Sequence, residues 1–239
     1  MDMILQQSVR IDSERCDRYG RLRADALFLL MQNAAGEHAE RLGVGRAQLV
    51  EKGTAWVLTR VSVRMQRWPN WDSVMTLTTA PGAGRVGLYR RYFEFADHQG
   101  MLGHATTLWT VIDLDKRAIV SPDKAPVVPP AATFTPKLPS PAKVRSLDGV
   151  PLTQSYRCQY TDVDLNGHIN NAAYIRFLEN SLPAERFEQC RLSELDVCYH
   201  HEILPDRTID LTLTEQDDRF HFAVKESDRI AFEGCGKWE

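Results

Sequence analysis

One segment of the 239-residue chain returns in a later, altered copy, and this repetition limits the possible folds more than any other feature. The early copy reads CDRYGRLRADALFLLMQNAAGEHAERLG, and the later copy reads TDVDLNGHINNAAYIRFLENSLPAERFE. A shift of 147 positions places Asp164 on Asp17 and Gly167 on Gly20. The sequence therefore predicts one structural unit that occurs twice.

Both copies predict a helix after their polar segment. In the early copy, Gly43 lies where the C-cap of a helix is expected. In the later copy, Asn170 or Asn171 can cap the start of the helix, and Pro183 stops it. The positions that recur with helical spacing are Leu27, Leu30, Met31, Ala34, His38 and Leu42 in the early copy, and Tyr174, Ile175 and Leu178 in the later one.

The segments after each helix alternate in the manner of β-strands. In TAWVLTRVSVRMQRW, the alternation places Val57, Val61 and Val63 on one face, and Arg60 and Arg64 on the other. DSVMTLTT, GLYRRYFEFAD and HATTLWTVIDL continue the first half, and ELDVCYHHEI, RTIDLTLTE, RFHFAVKES and RIAFEGCGKW continue the second. Each half is thus expected to be one helix followed by about four antiparallel strands.

A proline-rich segment separates the two halves. Seven of the twelve prolines lie between Ser121 and Lys143, where neither a helix nor a central strand can persist. We therefore expect a first repeat over residues 1–120, a linker over 121–145 and a second repeat over 146–239. Because an antiparallel sheet must bury its apolar face, its own helix is the nearest partner. The predicted fold class is α+β, a double hotdog in which each repeat wraps a curved antiparallel sheet round a central helix.

The stretch DVDLNGHINN, at residues 162–171, gathers carboxylates, carboxamides and an imidazole. Its spacing suits a calcium loop that begins with Asp162, Asp164 and Asn166, but the acid required at the twelfth position is replaced by Ala173. A polar turn that caps a helix is the simplest interpretation, with Asp162 as a solvated loop acid. Yet the early copy makes the corresponding turn with DRYGR, so the turn alone does not require asparagine and histidine.

A transition-metal site is a further alternative, with His168, His200, His201 and Glu202 as its ligands. HHE is not the HExxH pattern, and neighbours in a strand point to opposite faces. His200 and His201 therefore cannot both bind one ion. We expect no metal and no cofactor.

The polar stretch and its surroundings resemble a known family, the acyl-acyl carrier protein thioesterases. DVDLNGHINNAAYIRFLEN resembles the active-site pattern D-x-N-x-H-x-N-N-x-x-Y. TAWVLTRVSVRMQRWPNWDSV is similar to the W-V-x-x-R and R-x-P-x-W segments, and CYHHEILPDRTIDL to a strand that ends in Y-x-x-E. The resemblance covers nearly the whole chain. It implies release of fatty acids from acyl carrier protein during fatty acid biosynthesis, and a bacterial type of chain because no plastid transit segment is evident.

Carried over residue by residue, the resemblance implies a catalytic set of Asp164, Asn166, His168 and Glu202. Glu202 is the first choice as the base that activates water, and Asp164 either orients the turn or attacks the thioester itself. Asn166 and His168 would hold the water or the carbonyl, although a structural role for His168 in the turn is the alternative. Ile203 stands where some plant members have cysteine, which disfavours a thiol nucleophile.

Composition and targeting signals favour a soluble cytoplasmic chain. The formal net charge of -3 gives no reason to expect nucleic acid or a membrane surface as a partner. The five cysteines form no CxxC pair, the N-terminus lacks a signal peptide, and no window approaches about 18 consecutive apolar residues. A monomer and a homodimer both suit a fused pair of repeats.

The expected partner, acyl carrier protein, is acidic and would dock on a basic face. Arg60, Arg64, Arg67, Arg90 and Arg91 are the residues proposed for that face. Two other functions remain open from the residues. The chain could hydrolyse acyl-coenzyme A on the same fold, or it could bind acyl thioesters without cleaving them.

Overall fold

The protein is described by a computed structural model over residues 2–83, 87–121, 125–128, 130–131, 133–134, 137–138, 140–141 and 143–239. Part of the predicted linker lies outside these residues, and the domain boundaries stay predictions. The first half contains β1 (Leu5–Arg10), α1 (Ala24–Arg41), α2 (Arg46–Glu51), β2 (Thr54–Met65), β3 (Val74–Pro81), β4 (Tyr89–Asp97), β5 (Gly100–Asp113) and β6 (Ala118–Ile119). The second half contains β7 (Leu152–Arg157), α3 (Asn171–Ser181), α4 (Ala184–Gln189), β8 (Leu192–Tyr199), β9 (Thr208–Gln216), β10 (Arg219–Glu226) and β11 (Arg229–Trp238).

The elements confirm the predicted repeat. Strands β1 and β7 begin and end 147 positions apart, and helices α1 and α3 begin 147 positions apart. The same shift relates two short 3-10 turns, Ser13–Arg15 and Tyr160–Asp162. Each repeat therefore starts with a strand, a 3-10 turn and a polar turn before its long helix. The opening strand β1 is an element that the sequence analysis did not anticipate.

The strands form one antiparallel sheet in the order β1-β3-β4-β5-β2-β8-β11-β10-β9-β7, with β6 paired to β5. The order of the second half mirrors that of the first. The repeats meet where β2 pairs with β8, from Arg60 opposite Cys198 to Arg64 opposite Glu194. Two packed halves were expected, and the structure shows that backbone hydrogen bonds join them edge to edge.

Both long helices pack against the sheet in one shared apolar core. Leu27, Met31 and Ala34 of α1 are buried, as predicted, whereas Leu30 is only half-buried. Gly43 adopts a φ of +70° just after α1, which a glycine tolerates and other residues resist. Helix α3 ends at Ser181, two residues before Pro183, as predicted. The core of the second half is built largely from Phe177, Phe220, Phe222 and Phe232.

The predicted face of β2 is wrong at one end. The register between β2 and β5 shifts between Leu58 and Arg60, which marks a β-bulge. Because a bulge inserts one residue into the alternation, Leu58 rather than Val57 joins Val61 in the core. In the part of the chain that the structure describes, no helix is long and apolar enough to cross a bilayer.

Candidate functional site

Asp162 anchors the polar turn of the second repeat and is not a solvated loop acid. Its side chain is buried and accepts hydrogen bonds from Tyr156 Oη at 2.8 Å and from the backbone N–H of Gln159 at 2.8 Å. Arg176 of α3 forms an ion pair with it at 2.5 Å. Burial, and then the hydrogen bond to Asp162, raise the pKa of Tyr156 to about 12, so the phenol remains a donor. The Asp162 carboxylate is therefore engaged by protein groups, which argues against the calcium interpretation.

Asp164, Asn166 and His168 come together in the turn, as predicted. Asp164 Oδ1 accepts the backbone N–H of Asn166 at 2.8 Å, and the amide Nδ2 of Asn166 lies 3.4 Å from Asp164 Oδ2. His168 Nδ1 lies 3.9 Å from Asp164 Oδ1. Gly167 adopts a φ of +80°, which lets the chain reverse between the amide and the imidazole. The hydrogen-bond partner of His168 Nδ1 is the carbonyl of Ile169 at 3.2 Å, so the carboxylate orders the asparagine directly and lies beside the imidazole.

The start of α3 follows this turn directly. The Asn170 side chain accepts the N–H of Ala172 at 2.8 Å, so Asn170 is the cap that the sequence left open between two asparagines. Tyr199 Oη donates to the carbonyl of Asn171 at 3.0 Å, and burial raises the pKa of Tyr199 well above its usual range. The Ala172 N–H, one of the free backbone N–H groups at the start of α3, is therefore used by the cap and is not available to an oxyanion.

Glu202 comes from the loop after β8, which runs beside the polar turn. The N–H of Ile169 donates to the carbonyl of Ile203 at 2.9 Å, so the residues next to His168 and Glu202 are joined through their backbones. Ile203 is fully buried and fixes that loop in the core. The Glu202 carboxylate forms an ion pair with Arg117 Nη2 at 2.9 Å. The loop therefore holds Glu202 beside the polar turn of the second repeat, where its carboxylate is paired with Arg117.

Two arginines of the first repeat contact these residues, and the sequence analysis missed both. Arg117 lies in the turn after β5 and adopts a φ of +51°. Arg46, the first residue of α2, donates from Nε to Asn166 Oδ1 at 3.4 Å. Both contacts join residues that are far apart in the chain and belong to different repeats. A pattern of spacing within one segment carries no signal for such a contact.

The first repeat builds the same turn with different side chains. Asp17 Oδ1 accepts the backbone N–H of Tyr19 at 2.8 Å, and Asp17 Oδ2 pairs with Arg21 Nε at 3.1 Å. The N–H of Leu22 donates to the carbonyl of Pro69 at 2.9 Å, as Ile169 does to Ile203 in the second repeat. Trp68 therefore stands in the first repeat where Glu202 stands in the second.

The predicted metal alternative gains little from the structure. Among the described residues, one set of side chains, Cys198, His200 and Glu233, has ligand atoms within 4.8 Å of one another. Of the four residues proposed from the sequence, this set contains only His200, which hydrogen-bonds to Glu233 at 2.9 Å. His168, His201 and Glu202 do not belong to it.

The basic face predicted for a carrier protein is only partly available. Arg64 pairs with Asp196 at 2.7 Å, and Arg67 pairs with Asp97 at 2.8 Å. Arg91 is buried and contacts His38, and burial lowers its pKa to about 10. Arg91 therefore belongs to the interior and was wrongly assigned to the surface.

The sequence and the fold match one family over nearly the whole chain. Residues 3–124 match the acyl-ACP thioesterase N-terminal domain, and residues 146–234 match the acyl-ACP thioesterase C-terminal domain. The chain is 28% identical over 211 residues to the chloroplastic oleoyl-acyl carrier protein thioesterase of Coriandrum sativum, covering 79% of this chain and 57% of that protein. It is 26% identical over 217 residues to the chloroplastic palmitoyl-acyl carrier protein thioesterase of Gossypium hirsutum, covering 84% and 52%. The chain thus spans about half the length of these relatives.

Solved structures agree with the predicted fold. An acyl-ACP thioesterase from Bacteroides thetaiotaomicron superposes with a TM-score of 0.92 at 23% identity, covering 99% of this chain and 98% of that one. The 12:0-ACP thioesterase from Umbellularia californica superposes with a TM-score of 0.85 at 19% identity, covering 100% and 98%. These likenesses confirm the double hotdog. With both family domains matched in order along the chain, the protein belongs to the acyl-ACP thioesterase family.

Proposed function

We propose that this chain hydrolyses fatty acyl-acyl carrier protein to a free fatty acid and the carrier protein. Membership of the family supports the reaction class. The observation that carries the proposal furthest is the hydrogen-bonded turn of Asp164, Asn166 and His168, tied to the Glu202 loop through the bond from Ile169 to Ile203. The first repeat retains the turn's backbone and its aspartate, Asp17, but has Tyr19 and Arg21 in place of the asparagine and the histidine, so a single reaction site in the second repeat is expected.

In the proposed reaction, Glu202 accepts a proton from water while the water oxygen attacks the thioester carbonyl carbon. The carbonyl electrons move to oxygen, and Asn166 and His168 donate hydrogen bonds to that oxyanion. When the carbonyl re-forms, the carbon–sulfur bond breaks, and the thiolate takes the proton. Asp164 would hold the amide and the imidazole in place, since its carboxylate contacts both. A direct attack by Asp164, through an anhydride that water then opens, is the alternative route.

Arg117 and Arg46 are proposed as positioning residues for this site. Arg117 holds the Glu202 carboxylate at 2.9 Å, and Arg46 contacts the Asn166 oxygen at 3.4 Å. Arg117 is 62% exposed, and Arg46 is exposed as well. Arg46, whose contact is an amide rather than a carboxylate, would also attract an acidic carrier protein, whereas the charge of Arg117 is balanced by Glu202. Arg46 replaces the paired Arg64 and Arg67 and the buried Arg91 as the proposed docking cation.

The proposal is tested with a panel of purified substrates of equal acyl length, one carried on acyl carrier protein and one on coenzyme A. Release of fatty acid chiefly from the carrier protein supports the proposal, and preference for coenzyme A would favour the second thioesterase function. Binding of both without hydrolysis would favour the non-catalytic alternative. Asn166→Ala and His168→Ala should each lower kcat/KM by about 10²-fold or more. Full activity in both variants would contradict the site assignment.

Two further expectations belong to the same proposal. A reaction on newly made acyl chains fits a cytoplasmic location, which fractionation of the host cells would test. The fused repeats are compatible with a monomer or a homodimer, and light scattering of the purified chain would distinguish the two.

A further inference from the structure

A cavity of about 360 Å³ lies beside the polar turn of the first repeat, away from the proposed reaction site. One wall is the turn itself, and the opposite wall is the end of α3 together with α4 and the residues after it. Both repeats therefore contribute to the cavity, as both contribute to the surroundings of the second turn. The residues that matter for its chemistry are Arg18, Arg191, Glu179, Trp68, Phe187 and Leu192.

The cavity has a cationic side. Arg21 and Arg23 also line it, but their charges are balanced by Asp17 at 3.1 Å and Asp25 at 2.9 Å. Arg18 stacks on the ring of Tyr19 at 5.4 Å and, within the described residues, has no carboxylate partner.

Arg191 provides a second cation with the same property. It donates to the backbone carbonyls of Cys190 at 2.9 Å and Phe187 at 3.5 Å, and no ion pair to a carboxylate occurs for it in the described part of the chain. Two guanidinium groups at one cavity without carboxylate partners favour an anionic ligand group.

The other side of the cavity is apolar. Trp68, Phe187 and Leu192 line it. Trp68 Nε1 donates to the carbonyl of Leu192 at 2.7 Å, so the indole N–H already has its hydrogen-bond partner. Trp68 and Leu192 also pack beside the apolar side chains of Leu27 and Met65. An aliphatic tail directed away from the arginines would therefore have Trp68, Phe187 and Leu192 as apolar contacts.

The acids of the cavity do not cancel its positive charge. Glu179 accepts the N–H groups of Ala24 at 2.7 Å and Asp25 at 3.1 Å. Burial, and then the charge of Asp25, raise the pKa of Glu179 to about 8, so its carboxyl is largely neutral at pH 7. A ligand anion would not be repelled by it.

We propose that this cavity is a second, non-catalytic binding site for an aliphatic carboxylate of the class that the proposed reaction releases. The carboxylate lies between Arg18 and Arg191, and the alkyl chain lies against Trp68 and Phe187. The inference rests on the proposed function only for the source of the ligand. The first turn lacks the groups proposed for thioester hydrolysis, because Arg21 neutralises Asp17 and Trp68 replaces the acid, so the site would bind without catalysing.

Equilibrium dialysis with radiolabelled decanoate on the full chain tests the inference. Ala184→Trp places a large ring on the cavity wall, and Arg191→Glu reverses one of its cations; each should weaken binding at this site by about tenfold or more. Arg157→Glu, on the exposed edge strand β7, makes the same change of net charge elsewhere and should leave binding unchanged. His168→Ala should also leave this binding unchanged, since it alters only the other turn.

The outcomes separate the two proposals. Unchanged decanoate binding in both cavity variants, or loss of binding only in His168→Ala, would overturn the inference. Decanol binding as tightly as decanoate would overturn the assignment of a carboxylate. If the wild-type chain binds decanoate in the cavity but hydrolyses no thioester, the proposed function fails and the second site stands. Circular dichroism of each variant checks folding, and the two cavity variants act through different changes, so one misfolded variant leaves the other to decide.

Discussion

The two polar turns share a backbone and differ in what their side chains do. In the first turn the N–H of Gly20 donates to the carbonyl of Asp17 at 2.9 Å, and in the second the N–H of Gly167 donates to Asp164 at 3.0 Å. The glycines have φ values of +75° and +80°. Isolated bridges join Cys16 to Leu22 and Val163 to Ile169 at corresponding positions. A turn of this shape therefore does not need an asparagine or a histidine.

The differences concern the polar and charged side chains. The first turn carries its own cation, since Arg21 pairs with Asp17. An aromatic residue, Trp68, stands where the second repeat has Glu202. The second turn leaves the Asp164 carboxylate to an amide and an imidazole, adds Glu202, and receives its arginines from the other repeat. In the first turn an internal ion pair neutralises the aspartate. In the second turn the amide and the imidazole could still form hydrogen bonds with a substrate.

The largest effect is expected from Glu202→Gln, which removes the proposed base while preserving shape. Because general base catalysis contributes about 10²–10⁴-fold, kcat/KM for an acyl-acyl carrier protein substrate should fall by that factor. Glu14→Gln, an exposed acid before the first turn, is the matched control and should retain activity. If Glu202→Gln retained the wild-type rate, Glu202 would not be the base, and this proposed difference between the two turns would be wrong.

The helices that follow the turns are capped differently, and this difference should depend on pH. Helix α3 is capped by its own Asn170, whereas α1 is capped by Glu179 of the other repeat. The raised pKa of Glu179 means that the folded state keeps a proton that the unfolded state has lost. Stability from this group is thus full below about pH 4.5 and is lost as the pH rises through about 8.

Urea unfolding of wild-type and Glu179→Gln chains at several pH values measures this effect. The difference between their unfolding free energies should change by an amount of order 2–4 kcal/mol between about pH 5 and pH 8, in favour of glutamine at the higher pH. Titration of the buried histidines is common to both chains and cancels in the difference. Parallel pH profiles would show that Glu179 is not protonated in the folded chain.

The third residue of each 3-10 turn provides a smaller contrast. Asp162 is buried and bound by Tyr156 and Arg176, whereas Arg15 forms a half-exposed pair with Asp12. Asp162→Asn should lower the unfolding free energy by about 2–3 kcal/mol, since charge-assisted bonds are lost. Arg15→Ala should cost less than about 1 kcal/mol. Equal costs in denaturant unfolding would mean that the two turns are anchored alike.

The smallest effect is expected for Arg117, the arginine of the first repeat that pairs with Glu202. Arg117→Ala should lower kcat by about tenfold with KM within about twofold, because a misdirected Glu202 affects the reacting state more than substrate binding. The unfolding free energy should stay within about 0.5 kcal/mol, as is usual at an exposed position. Arg10→Ala, which breaks an exposed ion pair with Asp72 in the first repeat, is the control. A larger loss of stability than of kcat would assign Arg117 a structural role.

Local patterns predicted the repeat, the helix faces and the alternating strands, because each depends on residues a few positions apart. They also predicted that Asp164, Asn166 and His168 lie together, since one turn holds all three. The edge pairing of β2 with β8 was not predictable in this way, because any exposed strand edge could have paired. The contacts of Arg46 and Arg117 depend on that pairing.

Three errors have the same origin at a smaller scale. Alternation assigned Val57 to the core, but a bulge in β2 places Leu58 there. Arg91 was proposed for the docking face, but it is buried and contacts His38. Asp162 was interpreted as solvated because the local sequence does not show that Arg176, in the following helix, pairs with it. In each case a contact made only in the folded chain overrides the local pattern.

The pairing of β2 with β8 also determines which edges remain for other molecules. Each repeat uses one edge of its own sheet to hold the other, as two separate subunits would in a dimer, so that route of association is closed to a second copy. The outermost strands of the joined sheet are β1 and β7, at the two ends of the strand order. A chain cut between β6 and β7 should therefore yield two fragments that reassociate through this seam and the shared apolar core, with a dissociation constant that reports the strength of both together.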